Sequence, residues 1–283
     1  MTKRFTWGEA LDYTLKTRWV GKAALKTNKI NTGHFTEFAG RSFPVERINQ
    51  VQMDLFKAHL KEEREASNAT LNRCVTAVAT VINHCAKREM CKSAPVFDKE
   101  DEGERRMFWF TQEQVDEMSH AAVDPYYRKE ISDIILTAAY SGMRQGELLK
   151  LKAGDIDLGQ RRIHVGGVPH LTAKAKNYRA IPIHPRIFDL LCGRLEHCSP
   201  SVKVFDDVGN KDQLLLAFKK VRDYARVPEY TFHDLRHSFG TWHAIAGTPM
   251  RTLMGLMGHK RIETTLDYSK HTDKAAEAAM AAI

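Results

Sequence analysis

Apolar residues recur at helical spacing through most of the first third of the chain. Thr6-Trp7-Gly8-Glu9 has the form of a capping box, in which a hydroxyl and a carboxylate satisfy N–H groups at the start of a helix, and Ala10, Leu11, Tyr13 and Leu15 follow at the spacing of one helical face. A first helix is therefore expected from about residue 7, and a second over about 22–40. Asn49-Gln50-Val51-Gln52 resembles another capping box and opens a third helix to about residue 64. Ser67-Asn68-Ala69-Thr70 leads into a fourth that reaches about residue 89, with Leu71, Cys74, Val75, Val78, Val81 and Ile82 as its apolar stripe.

From Lys92 to Arg106 the pattern breaks. Pro95 and the run Asp98 to Glu104 are too polar to bury the area that an element needs. Beyond it, Thr111-Gln112-Glu113-Gln114 opens a helix, Pro125 precedes another that ends near Ser141, and Gln145 to Lys152 continues after the Ser141-Gly142 break. Arg162 to Val165 and Arg179 to Ile183 are short β-prone runs flanking Gly166-Gly167, whereas Pro185 to Glu196 and Lys211 to Ala225 return to helical spacing. The expected fold is mainly α with a small antiparallel sheet, of α+β class: a helical domain over 1–92, a linker over 93–108 and a mixed domain with a carboxy-terminal tail over 109–283.

Charge sharpens this picture. The 283 residues carry a formal net charge of +8, with ten Lys or Arg against five acidic residues in the first sixty positions, so an acidic partner is expected and nucleic acid first. Four helices with a positive excess make residues 1–92 a DNA-binding candidate, although a bare helical scaffold would look similar. Cys74, Cys85, Cys91, Cys192 and Cys198 are odd in number and contain no C-x-x-C pair, which fits a reducing compartment and buried thiols better than a metal site. The first residues hold no apolar run like a signal peptide, and no stretch approaches a membrane span, so a cytoplasmic protein without a membrane partner is expected.

Several segments carry groups suited to phosphate chemistry, each with an ordinary alternative. His233 and Arg236 stand three apart and share one face of any helix they occupy, suiting a phosphate, yet surface placement would produce the same spacing. Tyr268, nine residues after His259 in Leu256-Met257-Gly258-His259, would by itself be a half-buried packing residue. Arg144 and Glu147 would form a simple i, i+3 ion pair, and Lys174 and Lys176 a solvated hairpin tip.

The order of these pieces resembles the catalytic domain of the tyrosine recombinases of the phage integrase family, which share chemistry with type IB topoisomerases. The resemblance rests on G-x-R-x-x-E-L (Gly142, Arg144, Glu147, Leu148), a hairpin lysine eight residues before a strand proline (Lys174 to Pro182), H-x-L-R-H (His233 to His237), L-x-G-H (Leu256 to His259) and Tyr268. Ser67-x-Ala-Thr70-x-Asn72-Arg73 is similar to the family's core-binding domain. The additional arm-site-binding domain of larger phage integrases is not expected, because only a few residues precede the first helix; a simple integrase or a shortened chain would both read this way, and Met1 favours the former.

The resemblance implies a site-specific recombinase in which Tyr268 attacks a DNA phosphate and Arg144, Lys174, His233, Arg236 and His259 assist, with neither cofactor nor metal. Arg144 and Arg236 would clamp the non-bridging oxygens, since planar guanidiniums match phosphate geometry. A phenol with a pKa near about 10 needs a proton acceptor, for which His233 is nominated. Lys174, with Lys176 as rival, would protonate the leaving 5′-oxygen; His259 would donate a ring N–H to phosphate, and Glu147 and His237 would orient these groups. Expected partners are double-stranded DNA recombination sites, a homotetrameric synapse and host or phage DNA-bending factors. Thr272-Asp273 is expected to cap a short helix to Ile283 that docks on a neighbouring protomer. Chromosome-dimer resolution, DNA relaxation and a non-enzymatic DNA-binding protein are the competing readings.

Overall fold

The computed structural model describes residues 5–103, 107–123, 128–167 and 178–271. The chain divides into two compact units, Met1–Arg105 and Arg106–Ile283. Lys174, Lys176 and the tail helix expected after Thr272 lie outside the described residues.

In the first unit the capping signals are realised in side-chain bonds. Thr6 and Glu9 form the reciprocal box at the start of α1 (Trp7–Thr14), Asn49 accepts the N–H of Gln52 at the start of α3 (Gln50–Arg64), and Ser67 accepts that of Thr70 at the start of α4 (Asn68–Ala86). The remaining helix, α2, spans Leu25–Ala39. A π-helical turn over Leu15–Trp19, which the pattern did not foretell, follows α1 and buries Trp19. Aromatic residues from three helices close the core: Trp7 and Phe56 each meet Phe35 edge to face, with centroids 4.9 and 5.1 Å apart. Such pairs add about 0.5–1.5 kcal/mol beyond their buried area.

The stripe expected on α4 is buried, and with it Cys74 and Cys85, whose thiols burial pushes up from the ordinary cysteine pKa. All five cysteines are unpaired. The described residues between Lys92 and Gly103 form no helix or strand, yet they are held by this unit. Phe97 is buried in its core, Asn72 exchanges hydrogen bonds with the backbone of Glu100 at 2.8 and 2.9 Å, and Lys57 and Lys61 bond the two Glu100 carboxylate oxygens at 2.9 and 2.7 Å. The connector is anchored by polar contacts, which an apolar-periodicity argument does not weigh.

In the second unit α5 (Gln112–Val123) and α6 (Lys129–Ser141) pack together, α6 burying Ile131, Ile134, Ile135, Ala138 and Ala139. A short α7 (Gln145–Leu148) follows; the helix expected to Lys152 ends early because the chain turns into the sheet. That sheet has three antiparallel strands, β1 (Ile156–Asp157), β2 (Arg162–Val165) and β3 (Arg179–Pro182), with Ile163 opposite both Ile156 and Ile181. The first was not anticipated, since two residues cannot display alternation. Helices α8 (Pro185–Leu195), α9 (Lys211–Tyr224), α10 (Asp234–Ile245), α11 (Met250–Met257) and α12 (Glu263–Leu266) complete the unit, and a 3₁₀ turn from Asp267 carries Tyr268 against α10. The architecture is mainly helical with a small antiparallel sheet. Among the described residues no helix is long and apolar enough to cross a membrane.

Candidate active site

The site forms where α10, α11 and the loop before α7 meet. Asp234 accepts the backbone N–H and hydroxyl of Thr231 at 2.6 and 2.8 Å, fixing the entry to α10. Two residues on, Arg236 is 3% exposed and donates from its two terminal nitrogens to the Gly142 and Met257 carbonyls, both at 2.6 Å. Burial, then the charge of Arg144, lowers its pKa to about 10, so it remains a cation at neutral pH.

Arg144 caps α7. Its backbone N–H and Nη1 donate to the two oxygens of Glu147 at 2.8 and 3.0 Å, and its Nη2 donates to the Gly258 carbonyl at 3.0 Å. Its side chain is 41% exposed, so part of the guanidinium faces outward. Beside it, a cleft of about 570 Å³ is lined by Glu147, Lys150, Lys152, His164 and Gly166. Burial works to raise the Glu147 pKa, but bonds from Arg179 and the Arg144 backbone, with the two guanidinium charges, hold it down to about 2.

Tyr268 lies across α10 at Gly240, where an added Cβ would come within 2.5 Å of the ring. Its hydroxyl is 3.0 Å from Nδ1 of His237, which meets His233 edge to face with centroids 4.9 Å apart. Burial pushes the phenol up to about 12, against the opposing pull of Arg236. The His259 ring is parallel to that of Tyr268, centroids 6.2 Å apart, and its Nδ1 is 2.9 Å from the hydroxyl of Thr265. Burial, then the charges of Arg236, Arg144 and Arg179, lower the His259 pKa to about 4, and burial lowers that of His233. Both rings are therefore neutral at neutral pH.

Arg144, Glu147, Arg236, His237, His259 and Tyr268 thus join one bonded or stacked cluster, and His233 adjoins it through His237. Sequence reasoning missed three contributors. Arg179 bonds Glu147 and α11 from a position that read only as a strand residue, Thr265 holds His259, and Gly240 seats the tyrosine. The Arg179 contact with Leu256 of α11 spans 77 positions of sequence, beyond the reach of any local pattern.

Comparison with known proteins places this geometry. The profile described as Phage integrase family matches residues 108–275, more than half of the chain. Tyrosine recombinase XerA of Thermococcus kodakarensis is 34% identical over 170 residues, covering 56% of this chain and 58% of that protein. A putative prophage phiRv2 integrase of Mycobacterium tuberculosis (strain CDC 1551 / Oshkosh) is 31% identical over 191 residues, 61% of this chain and 49% of that one. The chain therefore spans somewhat more than half of the first relative and about half of the second. Among solved structures, the Tn1549 transposon integrase in complex with transposon right end DNA superimposes with a TM-score of 0.77 over 98% of both chains at 19% identity. A lambda integrase dimer bound to a core site gives 0.68 at 14% identity, covering 94% of this chain and 95% of that one. These likenesses establish the shared fold, and with the profile match they show that the chain belongs to the phage integrase family of tyrosine recombinases.

Proposed function

We propose that this protein breaks and rejoins DNA strands at specific sites through a 3′-phosphotyrosyl intermediate, serving integration and excision of a phage or other mobile element. The observation that carries the reading is the placement of the Tyr268 hydroxyl on the helix that bears His237 and the buried Arg236, while Arg236 and Arg144 grip adjacent carbonyls of the loop that presents His259.

In this reading the Tyr268 oxygen attacks the phosphorus and the bond to the 5′-oxygen breaks, giving a phosphotyrosine and a 5′-hydroxyl. The ester count is conserved, so no external energy source is needed and the protein supplies position and charge. Arg144 and Arg236 hold the non-bridging oxygens. The raised phenol pKa requires a proton acceptor. His237 is the ring in contact with the hydroxyl, and His233, packed against it, completes the route to the base nominated from sequence. With His259 neutral and Nδ1 facing the Thr265 hydroxyl, the tautomer that accepts from Thr265 leaves Nε2–H to donate to phosphate. Lys174, or its rival Lys176, protonates the leaving oxygen. Attack of a 5′-hydroxyl from a partner strand then reverses the chemistry.

DNA as the partner is supported by the first unit, where two clefts of about 450 and 510 Å³ share Arg18 and Lys99, with Lys87 lining one and Arg73 the other. Assembly of four protomers on paired sites and help from DNA-bending factors belong to the same proposal, and chromosome-dimer resolution uses the same chemistry. The test is covalent trapping on a nicked duplex that the protein itself selects from a random-sequence pool. Wild type should give a denaturant-resistant complex that survives EDTA, and Tyr268→Phe should bind the duplex without forming it; a comparable covalent yield from the Phe variant would overturn the assignment.

A further inference from the structure

Three arginines take three consecutive carbonyls at the end of α11: Arg179 donates from Nε to Leu256 at 2.8 Å, Arg236 to Met257 at 2.6 Å and Arg144 to Gly258 at 3.0 Å. These carbonyls have no partner inside their own helix and carry its negative end, so guanidiniums are suited to them. Gly258 adopts φ +64°, and a Cβ there would lie 2.7 Å from Nη1 of Arg179, so the guanidinium occupies the space that a side chain would fill. Arg179 is 7% exposed. Its terminal nitrogens bond both Glu147 oxygens, at 3.1 and 2.7 Å, and the same carboxylate takes the backbone N–H and Nη1 of Arg144.

We propose that Arg179 is a positioning residue for the cleavage step: by sharing Glu147 with Arg144 and tying β3 to the end of α11, it holds the outward face of Arg144 and the His259 loop in register for the DNA phosphate. The proposal rests on the reading of Arg144 as a phosphate clamp. Arg179 has all three guanidinium nitrogens committed, Nε to Leu256 and the two terminal nitrogens to Glu147, so it acts through its neighbours. Were it absent, both Glu147 oxygens would be open to Arg144, which would close into a two-bonded pair with the carboxylate, turn its donors inward and release Gly258. Lysine cannot substitute, because one ammonium lacks the planar fork that reaches two carboxylate oxygens and a carbonyl together.

The experiment is a double-mutant cycle in single-turnover adduct formation on the selected nicked duplex, using Arg179→Gln, Arg144→Ala and the double variant. Arg179→Gln should slow adduct formation on the order of 10–100-fold, as loss of an orienting partner does elsewhere. The double variant should fall within about 2-fold of Arg144→Ala alone, because the effect runs through Arg144. On a duplex with a methylphosphonate at the cleaved position, which lacks the non-bridging charge, the Arg179→Gln defect should shrink in parallel with that of Arg144→Ala. Arg179→Lys, which retains the charge, should melt near wild type and remain slow, separating positioning from folding. Multiplicative defects with no change on the methylphosphonate, or full activity of either Arg179 variant, would overturn the role. A wild-type protein that forms no adduct on the DNA it selects would instead overturn the recombinase reading beneath it.

Discussion

The first unit buries Trp7, Phe35 and Phe56 and, among the described residues, leaves its Lys and Arg side chains at the surface except Lys57, which has Glu100 and Asp54 on its ammonium. The second buries Arg179 and Arg236 at the carbonyl end of α11. Desolvating a guanidinium is costly unless it is paired and hydrogen-bonded, so buried arginines gathered at one place mark a position where the fold gives up stability for something else. An apolar core tolerates exchange of one hydrophobic shape for another, whereas the arginine cluster has fixed donor directions and admits few replacements.

The largest effect that separates the two regions is expected at Phe56, which is fully buried against Phe35. Phe56→Ala should destabilise the first unit by about 3–5 kcal/mol, read from hydrogen exchange of the amides in α2 to α4. A change below about 1 kcal/mol would mean that the aromatic cluster is not the core it resembles. Arg236→Met should have the opposite profile. Loss of its aimed donors should lower the adduct-forming rate on the order of 10²–10³-fold, while the second unit loses about 1–3 kcal/mol for each of the two carbonyls left without a donor. An unchanged rate in a folded variant would contradict its assignment to the phosphate.

Gly240→Ala tests the seat of the nucleophile. The added methyl would overlap the Tyr268 ring, so the ring must shift, at a cost of about 1–3 kcal/mol, and adduct formation should slow while DNA binding persists. Normal cleavage by this variant would show that the seat is not the reactive position. The smallest effect concerns acid. His259 is lowered from 6.5 to about 4, so between those values the unfolded chain binds a proton that the folded ring refuses. Its contribution to stability is therefore complete above about pH 6.5 and is lost as pH falls toward 4. His184, His233 and His243 are also lowered by burial, so His259→Leu should flatten, without abolishing, the rise of stability with pH across this window in denaturant titrations. An unaltered slope would place the neutral state of His259 in doubt.

The two regions also differ in how much of them was legible. Caps at Thr6, Asn49 and Ser67 and the stripe on α4 are local signals, and they located α1, α3 and α4. What escaped there was the π-helical turn after α1 and the anchoring of Glu100 by Asn72, Lys57 and Lys61. In the second unit the spaced motifs pointed to Arg144, Glu147, His233, Arg236, His237, His259 and Tyr268, and to Lys174, which lies outside the described residues, because their chemical types and order carry information that periodicity lacks. Arg179, Thr265 and Gly240 did not stand out. Arg179 and Gly240 act across a tertiary gap, the former on carbonyls that any sequence possesses, and Thr265 touches His259 only because the chain turns between them.

The most direct measurement is the chemical identity of the covalent link. Protein trapped on the nicked duplex should be digested and the nucleotide-bearing peptide sequenced by mass spectrometry, with the released DNA end tested for a 5′-hydroxyl. The account predicts one modified peptide with the nucleotide on the oxygen of Tyr268 and a free 5′-hydroxyl on the departing strand; attachment at any other residue, or a 5′-phosphate at that end, would contradict it.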